Sequence, residues 1–143
     1  MSMGAADREQ KARGKLLVLA STFPRWPGDT EPRFVEYLAC ELAEQYEILV
    51  LAPHCPGAAR DEVLRDGDRT ITVHRFRYFI PAMQSLAYDG GILAKLRHNP
   101  LRLFLVPFYL LSQLLSIMKL QRQHDFDAIH AHWVIPQGLV AAV

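Results

Sequence analysis

Two short stretches of this 143-residue chain gather side chains of types that can do chemistry. In Ser21-Thr22-Phe23-Pro24-Arg25-Trp26-Pro27-Gly28-Asp29-Thr30, a cation and an indole precede a turn glycine. Arg25, with Arg33 beyond it, can pair with a phosphate or sit in a surface ion pair. Trp26 can stack on a sugar or a base, or cap the core. Gly28, close to a helix start, can let backbone N–H groups approach an anion, although an ordinary turn explains a lone glycine more simply. In His130-Ala131-His132-Trp133, alternate residues of a strand share a face, so both imidazoles can point one way. That spacing invites a zinc site, but no third ligand has a recognisable spacing, and nothing in the sequence ties His54 to the pair. A histidine at a strand end can equally serve as acid, base or hydrogen-bond partner near neutrality, or bond loop backbone.

What must position these residues is an alternation of strands and helices. Lys15–Ala20 and Ile48–Ala52 are continuous apolar runs of strand length, which suits strands covered on both faces. Between them Arg33–Tyr46 has helical periodicity, with Pro32 at its start. Thr70–Phe76 reads as a third strand near an edge, after a charged, turn-rich Asp61–Arg69. Arg77–Pro100 is broken by Pro81, Gly90 and Gly91 into a loop with short helical pieces. Leu101–Gln123 reads as an amphipathic helix interrupted by Pro107, with a polar stripe of Tyr109, Ser112, Gln113, Ser116 and Lys119. Its apolar run falls short of the about 20 residues that span a bilayer, so the helix is expected to pack on the sheet or dip an apolar face into a membrane surface. The fold class is α/β, a Rossmann-like doubly wound parallel sheet. Ligands of such sheets lie at the carboxyl ends of the strands, where both chemical stretches fall.

Composition narrows the function. A formal net charge of +1 gives no bulk attraction to nucleic acid. Cys40 and Cys55 lack metal-ligand or disulfide spacing, and residues 1–14 read as a polar leader without a signal-peptide core, which together point to the cytoplasm. The first loop lacks G-x-G-x-x-G, and the second strand runs into Pro53 and His54 without a ribose-binding acid, against a nicotinamide cofactor. A nucleophile elbow, a P-loop and H-E-x-x-H are likewise missing from the sequence.

Leu16-Val18-Leu19, then Thr22-Phe23-Pro24-Arg25-Trp26-Pro27-Gly28-Asp29 and Glu31-Pro32-Arg33-Phe34-Val35, resemble the opening of a family-4 glycosyltransferase. Asp127-Ala128-Ile129-His130-Ala131-His132-Trp133, followed by Pro136-Gln137-Gly138, is similar to the strand and turn late in that family's amino-terminal domain. With Leu51-Ala52-Pro53-His54 and Leu86 to Pro100, the resemblance covers nearly all of residues 15–143. It implies a GT-B architecture, two Rossmann-like domains across a cleft. Its activity is transfer of a sugar from a nucleotide-sugar donor, usually with retention and without an essential metal or other cofactor. It places Gly28 in the loop that approaches the donor phosphates, with Arg25, Trp26, Asp29 and Trp133 as substrate-side candidates, and His132 beside the reacting sugar as the catalytic candidate. Many members carry paired glycines where this chain has Gly28-Asp29.

The same resemblance makes residues 15–143 the acceptor-side half, truncated before its end, and puts most of the donor site on a carboxyl-terminal partner domain. The chain alone is then expected to be inactive. The acceptor is expected to be a glycan or a lipid-linked sugar of polysaccharide biosynthesis, with peripheral contact to the inner face of a membrane through Leu101–Leu120. The competing expectation is a non-catalytic α/β module that binds a sugar or nucleotide, or docks a partner.

Overall fold

A strand whose every side chain is apolar needs cover on both faces, and the sheet supplies it. The computed structural model describes residues 13–132, so most of the expected leader, Trp133 and Pro136-Gln137-Gly138 lie outside the described residues. β1 (Gly14–Leu19) pairs in parallel with β2 (Tyr46–Pro53) on one side and with β5 (Ala128–Ala131) on the other. β2 pairs in parallel with β4 (Arg69–Phe76). With β3 (Asp61–Asp66) at the edge beside β4, the strand order β3-β4-β2-β1-β5 makes a five-stranded, mostly parallel sheet compatible with a Rossmann-like fold.

The two faces are closed by different helices. Leu16, Val18, Ile48, Val50, Ile71 and Val73 pack under α1 (Phe34–Leu42), which buries Val35 and Ala39. On the opposite face Leu17, Leu19, Leu49, Leu51 and Phe76 meet Tyr109, Ile117 and Leu120 of α3 (Leu105–His124). Between β4 and α3 lie the short helix α2 (Gly91–His98) and single 3₁₀ turns at Pro81–Met83 and Pro100–Phe104.

Three details differ from the sequence reading. Asp61–Asp66, expected as a charged turn, is β3, an antiparallel edge strand that makes β4 an interior neighbour. The Gly67-Asp68 loop between the paired Asp66 and Arg69 has Gly67 at φ +59°, as a type II′ hairpin turn requires at its first central position. Pro107 does not interrupt the long helix. It sits in the first turn, where its missing N–H would have no intrahelical partner anyway.

The third difference concerns α3's two sides. Tyr109 and Gln113, expected on a solvated polar stripe, are fully buried against the sheet. Tyr109 makes edge-on ring contacts with Phe76 and Tyr78, both at 5.1 Å. Phe108, Leu111, Leu115 and Met118 occupy the exposed side instead. Inside, both polar atoms of the Gln113 amide lack a hydrogen-bond partner among the described residues. A desolvated, unbonded amide costs about 1–3 kcal/mol. Gln113→Leu, which keeps side-chain volume and removes that cost, is therefore expected to raise the unfolding free energy by about 1 kcal/mol or more in urea denaturation. A lower midpoint would show that the amide is satisfied in solution.

Candidate functional site

The carboxyl ends of β1, β2 and β4 are roofed by three loops, and a buried arginine binds two of them to the sheet. Arg75, on β4, has no solvent exposure. Its guanidinium donates to the carbonyl of Ala59 at 2.8 Å, to that of Pro24 at 2.7 Å and to Glu62 Oε1 at 2.6 Å. The loop after β1 is thus fixed to β4 and β3 at the residue just before Arg25.

Arg25 forms a second, outer centre. Its Nε and terminal nitrogen both donate to the Asp29 carboxylate at 2.8 Å, and the same carboxylate accepts the Arg25 backbone N–H at 2.9 Å. Asp89 lies 3.4 Å away and Glu31 4.0 Å away. The guanidinium also sits over the rings of Trp26, 4.5 Å from the centroid, and Tyr88, 5.0 Å away. Bonding from Arg25 holds the Asp29 carboxyl well below the usual carboxylate range, and Asp29 raises Arg25 in return. Three carboxylates surround this one cation, so its charge is already balanced before any ligand arrives.

Gly28 is explained by its turn. The Asp29 N–H donates to the Trp26 carbonyl at 3.2 Å, and Gly28 has φ +80°. With Pro27 before it, this is a type II turn, whose third residue must be left-handed. A Cβ at Gly28 would meet nothing within 4 Å, so the turn faces open space. Trp26 is half exposed beside Gly57, with its ring 3.7 Å from where a Gly57 Cβ would stand.

The third loop is brought to the site by the fold. Tyr88, Asp89, Gly90 and Gly91 are consecutively left-handed, at φ 62°, 49°, 104° and 82°. Two of these are not glycine, and such backbone costs of order 1–3 kcal/mol per residue unless the surroundings fix it. They do: Tyr88 donates its hydroxyl to the Pro53 carbonyl at 2.6 Å, and the Asp89 N–H donates to Glu31 Oε1 at 2.6 Å. Burial pushes the Tyr88 phenol up. The signal available in the sequence was Asp89-Gly90-Gly91, a turn signature that names neither partner. His54, buried, bridges Gln84 Oε1 at 2.6 Å and the Ala58 carbonyl at 3.1 Å, a role in loop structure.

His132 stands apart at the β5 end. Its backbone N–H donates to the Leu19 carbonyl at 3.1 Å, extending the β1–β5 ladder by one residue. Its ring meets Phe34, the first residue of α1, edge-on at 5.8 Å, and lies 4.9 Å from the His130 ring, so the pair does share a face. Burial, and secondarily His130, lowers the His132 pKa, which keeps the imidazole neutral at pH 7. Its buried Nε2 has no hydrogen-bond partner among the described residues. No hydrogen bond, ion pair or ring contact among the described residues joins His132 to the Arg25 cluster. Nor do the described residues contain a group of three or more His, Cys, Asp or Glu side chains able to hold a metal. Burial raises the Cys55 thiol, which makes it a poor nucleophile. A polar concavity beside Arg69 and Glu44 lies at the opposite, amino-terminal edge of the sheet, where Arg69 pairs with Glu41, Glu44 and Asp66.

The Arg25–Asp29 pair sets an acid limit on the site. Folding depresses the Asp29 pKa, so its stabilisation is complete above the unfolded carboxyl value and fades as pH falls through the lowered one, below about pH 4. Asp29→Asn should cost about 1–3 kcal/mol at pH 7, and its deficit against the parent chain should shrink on acidification below about pH 4 in parallel urea titrations.

No protein-family model matches this chain, and no curated protein or solved structure matches it.

Proposed function

We propose that the chain is the acceptor-side, amino-terminal domain of a family-4-like glycosyltransferase of GT-B architecture. In this reading a carboxyl-terminal domain supplies most of the nucleotide-sugar site, and the sugar passes to a glycan or lipid-linked acceptor over the carboxyl edge of the sheet. The observation that supports it best is the position of His132, one residue past β5 and against the first residue of α1, with a buried ring nitrogen that has no hydrogen-bond partner among the described residues. A neutral imidazole there can accept a hydrogen bond from a sugar hydroxyl, or donate one, without a charge to desolvate.

In the same reading Arg25 is a positioning residue. Its pairing with Asp29 shapes the Trp26–Asp29 turn, and the phosphate approach falls to the turn backbone around Gly28. Trp26, half exposed, offers its indole to a sugar or base. That Arg25 is already neutralised favours a second reading, a non-catalytic sugar-binding or partner-docking module.

Sugar transfer decides between them. A panel of nucleotide-sugar donors and a lipid and glycan extract are incubated with the chain alone and with the chain plus a family-4 donor-binding domain. Turnover is expected only in the pair, falling by about 100-fold or more in His132→Ala and by much less in His130→Ala. Saturable sugar binding without turnover in the pair assigns the chain to the second reading.

A further inference from the structure

Residues 81–118 carry a run of large apolar side chains that no other part of the described chain covers. Phe108, Leu111, Leu115 and Met118 recur along α3 at spacings of three and four, on the side turned away from the sheet. Upstream, Leu101 is 83% exposed and Leu103 62%. Phe79, Phe104 and Phe108 form a triangle of edge-on rings, 5.2 to 5.6 Å between centroids, at the head of this stripe. A contiguous apolar surface of this kind marks an interaction site.

The charges around it identify the partner. From Gly90 to His124 there is no Asp or Glu, and there are five cations, Lys95, Arg97, Arg102, Lys119 and Arg122. All fifteen carboxylates of the chain lie elsewhere. Lys95 reaches Asp89 at 3.9 Å, whereas the other four make no ion pair among the described residues. A second copy docking here by two-fold symmetry would set these cations against their own images with no carboxylate to meet them. A surface at once apolar and anionic fits both features.

We propose that the outer face of α3, with the Pro100–Phe104 turn before it, docks on an anionic lipid bilayer, lying in the interface with the four unpaired cations at the level of the headgroups. Pro100–His124 is 25 residues long and apolar enough to cross a membrane by length and composition. Its other face is built into the core, however, through Leu105, Tyr109, Gln113, Ile117 and Leu120, and spanning would tear that face from the sheet. Lying on the surface keeps the core and covers only what is exposed. The inference stands on this face alone and does not depend on sugar transfer.

The test is co-sedimentation of the full chain with phosphatidylcholine vesicles, with and without phosphatidylglycerol, at low and high salt. Binding is expected to the anionic vesicles and to weaken with salt. Leu111→Glu with Leu115→Glu, both at exposed positions, should abolish it while leaving the circular dichroism melt unchanged. Arg97→Gln, Arg102→Gln, Lys119→Gln and Arg122→Gln should each weaken it by about fivefold. A folded sample that stays in the supernatant with anionic vesicles overturns the proposal, as does binding that both leucine substitutions leave intact. A dimer that those substitutions dissolve, in light scattering without lipid, would give the face to a second copy and overturn it as well.

Discussion

A guanidinium removed from water must be met by oxygens, and the organisation of this sheet edge follows from how Arg75 is met. Its three acceptors come from the loop after β1, the loop after β2 and the edge strand β3, and each bond is between 2.6 and 2.8 Å. Pulling one loop carbonyl away leaves a buried donor of a charged group unmet, at about 1.5–3 kcal/mol. The loops therefore cannot shift one at a time. The edge strand, paired with β4 along the hairpin and packed on the core through Leu64, gains through Glu62 a further tie to the interior of the sheet.

Arg25 repeats the arrangement one layer further out. It is held by Asp29 within its own loop and reaches Asp89 across 64 residues of chain. The left-handed run from Tyr88 to Gly91 persists because that reach, the Tyr88 hydroxyl on Pro53 and the Asp89 amide on Glu31 all fix it together. The edge is consequently asymmetric. Over β2 and β4 it is cross-braced and electrically balanced, whereas at β5 the imidazole of His132 meets an exposed phenylalanine and has one buried nitrogen without a partner among the described residues.

The core strands were legible in the sequence because burial on both faces removes polar residues from every position, as in Leu16 to Ala20 and Ile48 to Ala52. The common face of His130 and His132 followed from strand alternation alone. β3 was missed because a two-sided, mostly exposed edge strand keeps its charges, although Asp66-Gly67 carried the hairpin signal. The partners of Arg25 and Arg75 were not legible at all. Pro24 and Arg75 are 51 residues apart, and no periodicity connects them. Residue type named the candidates, and only the fold showed that Arg25 is balanced by its own carboxylates.

The long helix shows why residue type can mislead about facing. With apolar residues on every side, α3 has little contrast for a pattern to read, and its few polar residues were assigned to water. The fold turns a phenol and an amide inward and leaves leucines and phenylalanines outside. Burying apolar area is worth roughly 25 cal/mol per Å², so in water alone the opposite rotation, with the leucines inside and the amide solvated, would be the better arrangement for the helix by itself. Two things resist that rotation. The Tyr109 ring fills the space between Phe76 and Tyr78, which no aliphatic side chain would match in shape or ring contact. The outer leucines, for their part, cost nothing once they too leave water. The outer side of α3 therefore gains most where it too is dry, and the sheet dries only the inner one.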